Sequence, residues 1–124
     1  MRRKHIPFWW LCLLIAFLSV LFPQKPAKLS DAEEKQRIGE YYEAAAIYRK
    51  VYTKTSPKKR DLRGYIAFHM GECNRMINST AKATSAYINA IRYDYPDSIV
   101  YLRLAQTLHQ SGKYAEAIKN YDLY

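Results

Sequence analysis

His69 and Cys73 lie four residues apart, one turn of a helix. An imidazole and a thiolate at that spacing can supply half of a tetrahedral metal site, or the base or nucleophile of an enzyme. No second pair of ligands accompanies them. His109 belongs to a separate stretch, and Cys12 sits inside an apolar run near the N-terminus. Cys73 therefore reads as a small apolar residue on a buried helix face. The chain has no glycine-rich phosphate loop, no Ser–His–Asp set in a recognisable frame and no suggestive pair of carboxylates. Neither catalysis, a bound metal nor a cofactor is expected. Asn78-Ser79-Thr80 matches a glycosylation acceptor, although Asn78 equally suits a turn. The 12 tyrosines suit both core packing and an aromatic ligand surface, since each ring carries a polar tip.

With so little reactive chemistry, function must lie in surfaces, and the elements that build them matter most. The net charge is +9 over 124 residues. Arg2, Arg3, Lys4, Lys25 and Lys28 flank an apolar N-terminal stretch, and no acid precedes Asp31. Beyond residue 28, 15 basic residues stand against 11 acidic ones, a net of +4. Spread over several helices, that excess is a solvated surface. The densest basic cluster, KTSPKKRDLR at 54–63, is a loop around Pro57 without a recognition module, so nucleic acid is not an expected partner.

Residues 1–28 have the layout of a targeting element: a basic start, 17 uncharged residues from Ile6 to Phe22, then Pro23 and Lys25. As a helix, that run reaches about 25 Å at 1.5 Å per residue, slightly short of a full bilayer span. Its basic end stays cytoplasmic, so the rest of the chain is expected beyond the membrane. No small-residue pair marks a cleavage site, and a cleaved signal peptide and a retained anchor both fit. Trp9, Trp10 and Leu11 before Cys12 are the wrong residues for lipoprotein attachment. After the leader Cys73 is the only cysteine, which rules out an intramolecular disulfide framework.

From Ser30 the pattern is helical and it repeats. GEYYEAAAIY at 39–48 and GKYAEAIKNY at 112–121 share Gly, Tyr, Ala and Tyr at matching places, and NSTAKATSAY at 78–87 is a weaker copy. The step from Asn78 to Gly112 is 34 residues and that from Gly39 to Asn78 is 39. The five extra residues are assigned to the Thr53–Asp61 break around Pro57. Ser30 and Glu33 form a predicted capping box opening a short helix that ends at Gly39. Further helices are expected over 40–54, 62–76, 80–93, 99–110 and from Gly112 to the end. Asn78 takes the turn, and Asp97 or Ser98 caps the fifth helix.

These copies resemble the tetratricopeptide repeat, a 34-residue pair of helices. The third copy carries Tyr101, Leu104, Ala105, Leu108, Gly112, Tyr114, Ala117 and Tyr121 at the family's positions. The second carries Met70, Gly71, Ala83, Tyr87, Ala90 and a displaced Pro96. The first carries Ala32, Gly39, Tyr41, Ala44 and Tyr48. The resemblance implies an all-α, TPR-type α-solenoid of about three helix pairs, with repeats at 30–54, 62–96 and 98–124. The last pair is incomplete, and an apolar helix precedes the whole. In such a fold Gly71 and Ala105 lie where the helices of a pair cross, with Ala44, Ala83 and Ala117 opposite. Tyr48, Tyr87 and Tyr121 fill the space between pairs, and stacking of pairs creates the core.

The same resemblance implies a protein-binding groove lined by the first helix of each pair. Carried over by position, it takes Tyr65, Phe68, Glu72, Arg75 and Met76 from the second pair. From the third it takes Ile99, Leu102, Gln106, His109 and Gln110. A carboxylate-gripping subclass of the family uses Lys, Asn and Arg at fixed places; only Arg103 falls on one, with Phe68, Glu72 and Ile99 on others, so that mode is excluded. The leader joined to the repeats also resembles the N-terminal module of Bacteroidetes OmpA-family envelope proteins associated with type IX secretion and gliding. That implies a bacterial envelope or periplasmic location and envelope-protein partners. Membrane contact would come through residues 6–22 if uncleaved, and peptidoglycan contact only through a downstream domain. The uncapped apolar face of the last helix (Ala117, Ile118, Tyr121) is expected to meet either more chain or a partner.

Overall fold

The computed structural model describes residues 26–124, together with residues 4, 5, 7–10, 12 and 13. The apolar leader expected over 6–22 thus lies mostly outside the described residues. Among those described, no helix is long and apolar enough to cross a membrane. From Leu29 onward six helices follow: α1 (Leu29–Arg37), α2 (Tyr41–Lys54), α3 (Arg60–Met76), α4 (Thr80–Arg92), α5 (Ile99–Gln110) and α6 (Tyr114–Leu123). No strand occurs among the described residues, and the chain has the all-α class expected of it.

Four helices end the same way. Gly39, Asn78, Asp94 and Gly112 take φ of 84°, 59°, 58° and 76°, the left-handed region. In each case the next residue's N–H reaches back to a carbonyl five residues earlier: Glu40 to Lys35, Ser79 to Asn74, Tyr95 to Ala90 and Lys113 to Leu108. The left-handed residue itself donates three residues back. This is the Schellman arrangement, which satisfies the last carbonyls of a helix and reverses the chain within a few residues. Glycine or asparagine makes the turn within each helix pair, and Asp94 makes the one between the second pair and the third.

The reversal sets neighbouring helices against one another. A Cβ on Gly64, early in α3, would lie 3.2 Å from the Tyr93 carbonyl oxygen just past α4. A Cβ on Gly71, later in α3, would meet the Tyr87 ring earlier in α4, so the two helices run antiparallel. The closely packed helices are all neighbours in sequence. The core falls into two clusters with α3 between them. Ile66 and Cys73 of α3 join Ala32 of α1 and Ala44, Ala45 and Tyr48 of α2. Ala67 and Phe68 join Ala83, Tyr87 and Ala90 of α4, Val100, Leu104 and Leu108 of α5, and Ala117 of α6. Burial of α3 on two sides explains its run of apolar and small residues.

Three expectations are corrected. The five extra residues of the first period are not in the loop: the α2–α3 connection (55–59) is no longer than the α4–α5 connection (93–98). They lie in α3, which has 17 residues where α5 has 12. The added first turn is held by Arg60, which donates to the Arg92 carbonyl (2.7 Å) and to Asp94 (2.8 Å). Arg63 lies 4.1 Å over the Tyr52 ring and donates to the Thr55 carbonyl. Such cation–ring contacts and charged hydrogen bonds supply what Pro57 alone did not suggest. The capping box does not form, because α1 starts at Leu29 with Lys28 as its cap, and the Glu33 carboxylate accepts from the Tyr65 hydroxyl instead (2.9 Å). Tyr121 does not fill a space between pairs, since it is 38% exposed.

Candidate functional site

The side chains of α1, α3 and α5 meet in a polar row that crosses all three helices. Gln36 Oε1 of α1 accepts from the Tyr48 hydroxyl (2.7 Å) and from His69 Nδ1 (3.1 Å). With the carboxamide oxygen as the facing atom, which only accepts, this bond requires the imidazole proton on Nδ1. Tyr65 leans on the His69 ring at 4.3 Å and anchors its hydroxyl on Glu33. One turn further, Glu72 accepts from Tyr87 (2.6 Å) and Arg75 (3.1 Å). Arg103 Nε of α5 stands 3.2 Å from Glu72 but off the line of a hydrogen bond and without any other partner; charge holds it there. Arg103 also donates to Gln106 (3.2 Å).

Burial shapes the charges in this row. Desolvation would raise the Glu72 carboxyl, but the hydrogen bonds from Arg75 and Tyr87 and the Arg103 guanidinium together hold it below the usual carboxylate range. Burial pushes the Tyr65 hydroxyl up to about 12, helped by its bond to Glu33. It pushes Tyr87 higher still, again with a carboxylate accepting its proton. Burial lowers His69 against the opposing pull of Glu72 and Glu33, so the ring is held neutral. The row holds an imidazole, an anchored phenol and the guanidinium groups of Arg75 and Arg103 gathered on Glu72. It suits recognition of polar groups.

Of the residues expected to line a groove, Tyr65, Glu72, Arg75 and Gln106 join this row. Phe68 does not: it is buried, stacked face to face on Tyr95 at 4.3 Å. Ile99 packs against the same core cluster. Leu102 is half-buried and Met76 exposed. His109 and Gln110 are exposed at the end of α5, where His109 meets the edge of Tyr114. Glu33, Gln36 and His69 were missed as members of the row. The four-residue step from Tyr65 to His69, one face of a helix, was the available signal. Cys73, one turn on from His69, points into the core of α1 and α2, with its thiol pushed up to about 12 by burial. Among the described residues, no three potential ligands gather to hold a metal.

Gly71, Ala83, Tyr87 and Ala105 are buried where α3 meets α4 and α5 meets α6; Ala44 and Tyr48 are buried in α2, and Ala117 in α6. A concavity lies elsewhere. A cleft of about 660 Å³ opens between α2 and α4, with α3 as its floor. Its floor is Met70, Asn74 and Ile77, a different face of α3 from the one bearing His69 and Glu72. Compared with known proteins, the chain matches no protein-family model and no curated protein.

Proposed function

We propose that residues 30–124 are a TPR-type α-solenoid scaffold, without catalytic activity, that recognises other proteins through the face shared by α1, α3 and α5. The observation that supports this is the polar row from Gln36 to Gln106, carried across helices that are not sequence neighbours. A row of that kind presents fixed hydrogen-bonding groups to a partner lying across the repeats. The leader directs the domain to the bacterial envelope, where it serves as the N-terminal module of an OmpA-like, peptidoglycan-associated protein of a secretion or gliding machine. The 17 uncharged residues from Ile6 to Phe22 without a cleavage site support a second reading, an assembly factor kept in the inner membrane by that segment.

The test is capture from solubilised bacterial envelopes by the full chain and by an Arg103→Glu variant. A partner held by the native chain and weakened about tenfold or more by the variant, at unchanged helical circular dichroism, is the expected result. Equal capture by Arg103→Glu and by a Tyr65→Ala, Gln106→Ala pair would overturn the assignment of this face.

A further inference from the structure

The cleft between α2 and α4 has an origin in the repeat itself. Asn74 on its floor stands 34 residues before Leu108, which is buried in the core between the later helices. Where the third repeat puts a leucine, the second puts a short amide. Asn74 is 6% exposed and its Nδ2 donates to the Met70 carbonyl of its own helix (2.9 Å). Among the described residues that is the side chain's one hydrogen bond, and Asn74 lines the cleft. Between larger side chains such as Tyr42 and Tyr52, the walls carry small residues, Ala46 on α2 and Ala81 and Ser85 on α4. Another backbone can therefore approach closely.

The charge of the cleft is one-sided. Arg49 of α2 and Lys82 of α4 stand on opposite walls, and among the described residues no acidic side chain lines it. Neither cation is ion-paired within the described residues. We propose that this cleft is a second docking site, which takes an acidic amphipathic helix of a partner protein. The helical form follows from hydrogen bonding: the walls and floor are helix interiors whose backbone groups are already paired. An extended strand would find no free backbone edge to pair with along its length, whereas a helix satisfies its amides internally. From Tyr42 to Thr53 the α2 wall runs about 16 Å at 1.5 Å per residue, room for some three turns. The occupant sets apolar residues on Met70 and Ile77, and places carboxylates between Arg49 and Lys82. The chain's own leader, with Arg2, Arg3 and Lys4 and no acid, carries the wrong charge for it. This site is separate from the polar row and does not depend on it.

A displayed library of random peptides of about 15 residues, selected on the full chain, tests the proposal. The expected winners place Asp or Glu beside apolar residues at helical steps of three and four. They lose about tenfold or more in affinity on an Arg49→Glu, Lys82→Glu variant, a close charge pair being worth at least that much. They also lose binding on Ser85→Trp, which fills the cleft, and keep it on Arg103→Glu, which belongs to the other face. Basic winners, winners without helical period, or acidic winners indifferent to Arg49→Glu, Lys82→Glu would overturn it. So would a self-association of the chain that the same double variant abolishes, since that assigns the cleft to a second copy.

Discussion

A methyl group added at Gly71 would sit 2.6 Å from Cε1 and 2.8 Å from Cδ1 of Tyr87, a ring with no exposed surface. The ring cannot swing aside, because its hydroxyl is fixed on Glu72. Gly71→Ala gains about 1 kcal/mol of helix propensity but loses about 1–3 kcal/mol or more to overpacking. The expected result is a lower unfolding midpoint in urea, and a rise would show that the ring yields. His69 gives the pH dependence. Its pKa in the folded chain lies below the ordinary 6.5, so on acidification the unfolded chain binds the proton first. Stability should begin to fall as pH drops through about 6.5, before any carboxylate protonates, and fall again as the depressed Glu72 titrates. Thermal midpoints across pH 4–8 should show the first phase in the native chain and lack it in His69→Gln.

Among the elements, α3 is the one on which both surfaces depend: one of its faces carries the polar row, another the cleft floor. Asn74→Leu restores the residue that the next repeat has at Leu108. Burying a leucine contributes about 1.5–3 kcal/mol, which exceeds the roughly 1 kcal/mol of the amide's hydrogen bond. The variant should melt higher and lose the acidic-peptide binding of the cleft; a lower midpoint would mean that the amide is needed for packing. The helices were legible in the sequence because punctuation and periodicity agree. Gly39, Asn78 and Gly112 mark turns, and the three- and four-residue apolar steps run between them. The extra first turn of α3 was not legible, since Arg60 and Arg63 read as loop charge until Tyr52, Tyr93 and Asp94 are seen beneath them. The polar row was legible in part. Its groups hydrogen-bond across 30 and more residues of chain, and no local pattern encodes which partner a side chain will meet. Phe68 was misplaced for the same reason, as its stacking partner Tyr95 lies in a loop.

At the scale of the molecule, close packing among the described residues joins successive helices, so stability is expected to be a chain of neighbour terms rather than one indivisible core. Ala117→Asp places a charge in the interior of the last pair, where the native residue is 2% exposed. Amide exchange should quicken in α6 and α5 first, with α1 to α3 still protected. Simultaneous loss of protection in all six helices would instead mark a single cooperative unit. Tyr114, Ile118 and Leu123 on α6 are exposed and leave apolar surface uncovered in that same last layer. Serial packing also has a mechanical side. Pulled from its two ends, a molecule whose alternate helices are joined only by side-chain bonds such as Tyr65–Glu33 and Arg103–Glu72 should lengthen by small hinging at each joint, much as a coil spring does, and recoil when the load is removed.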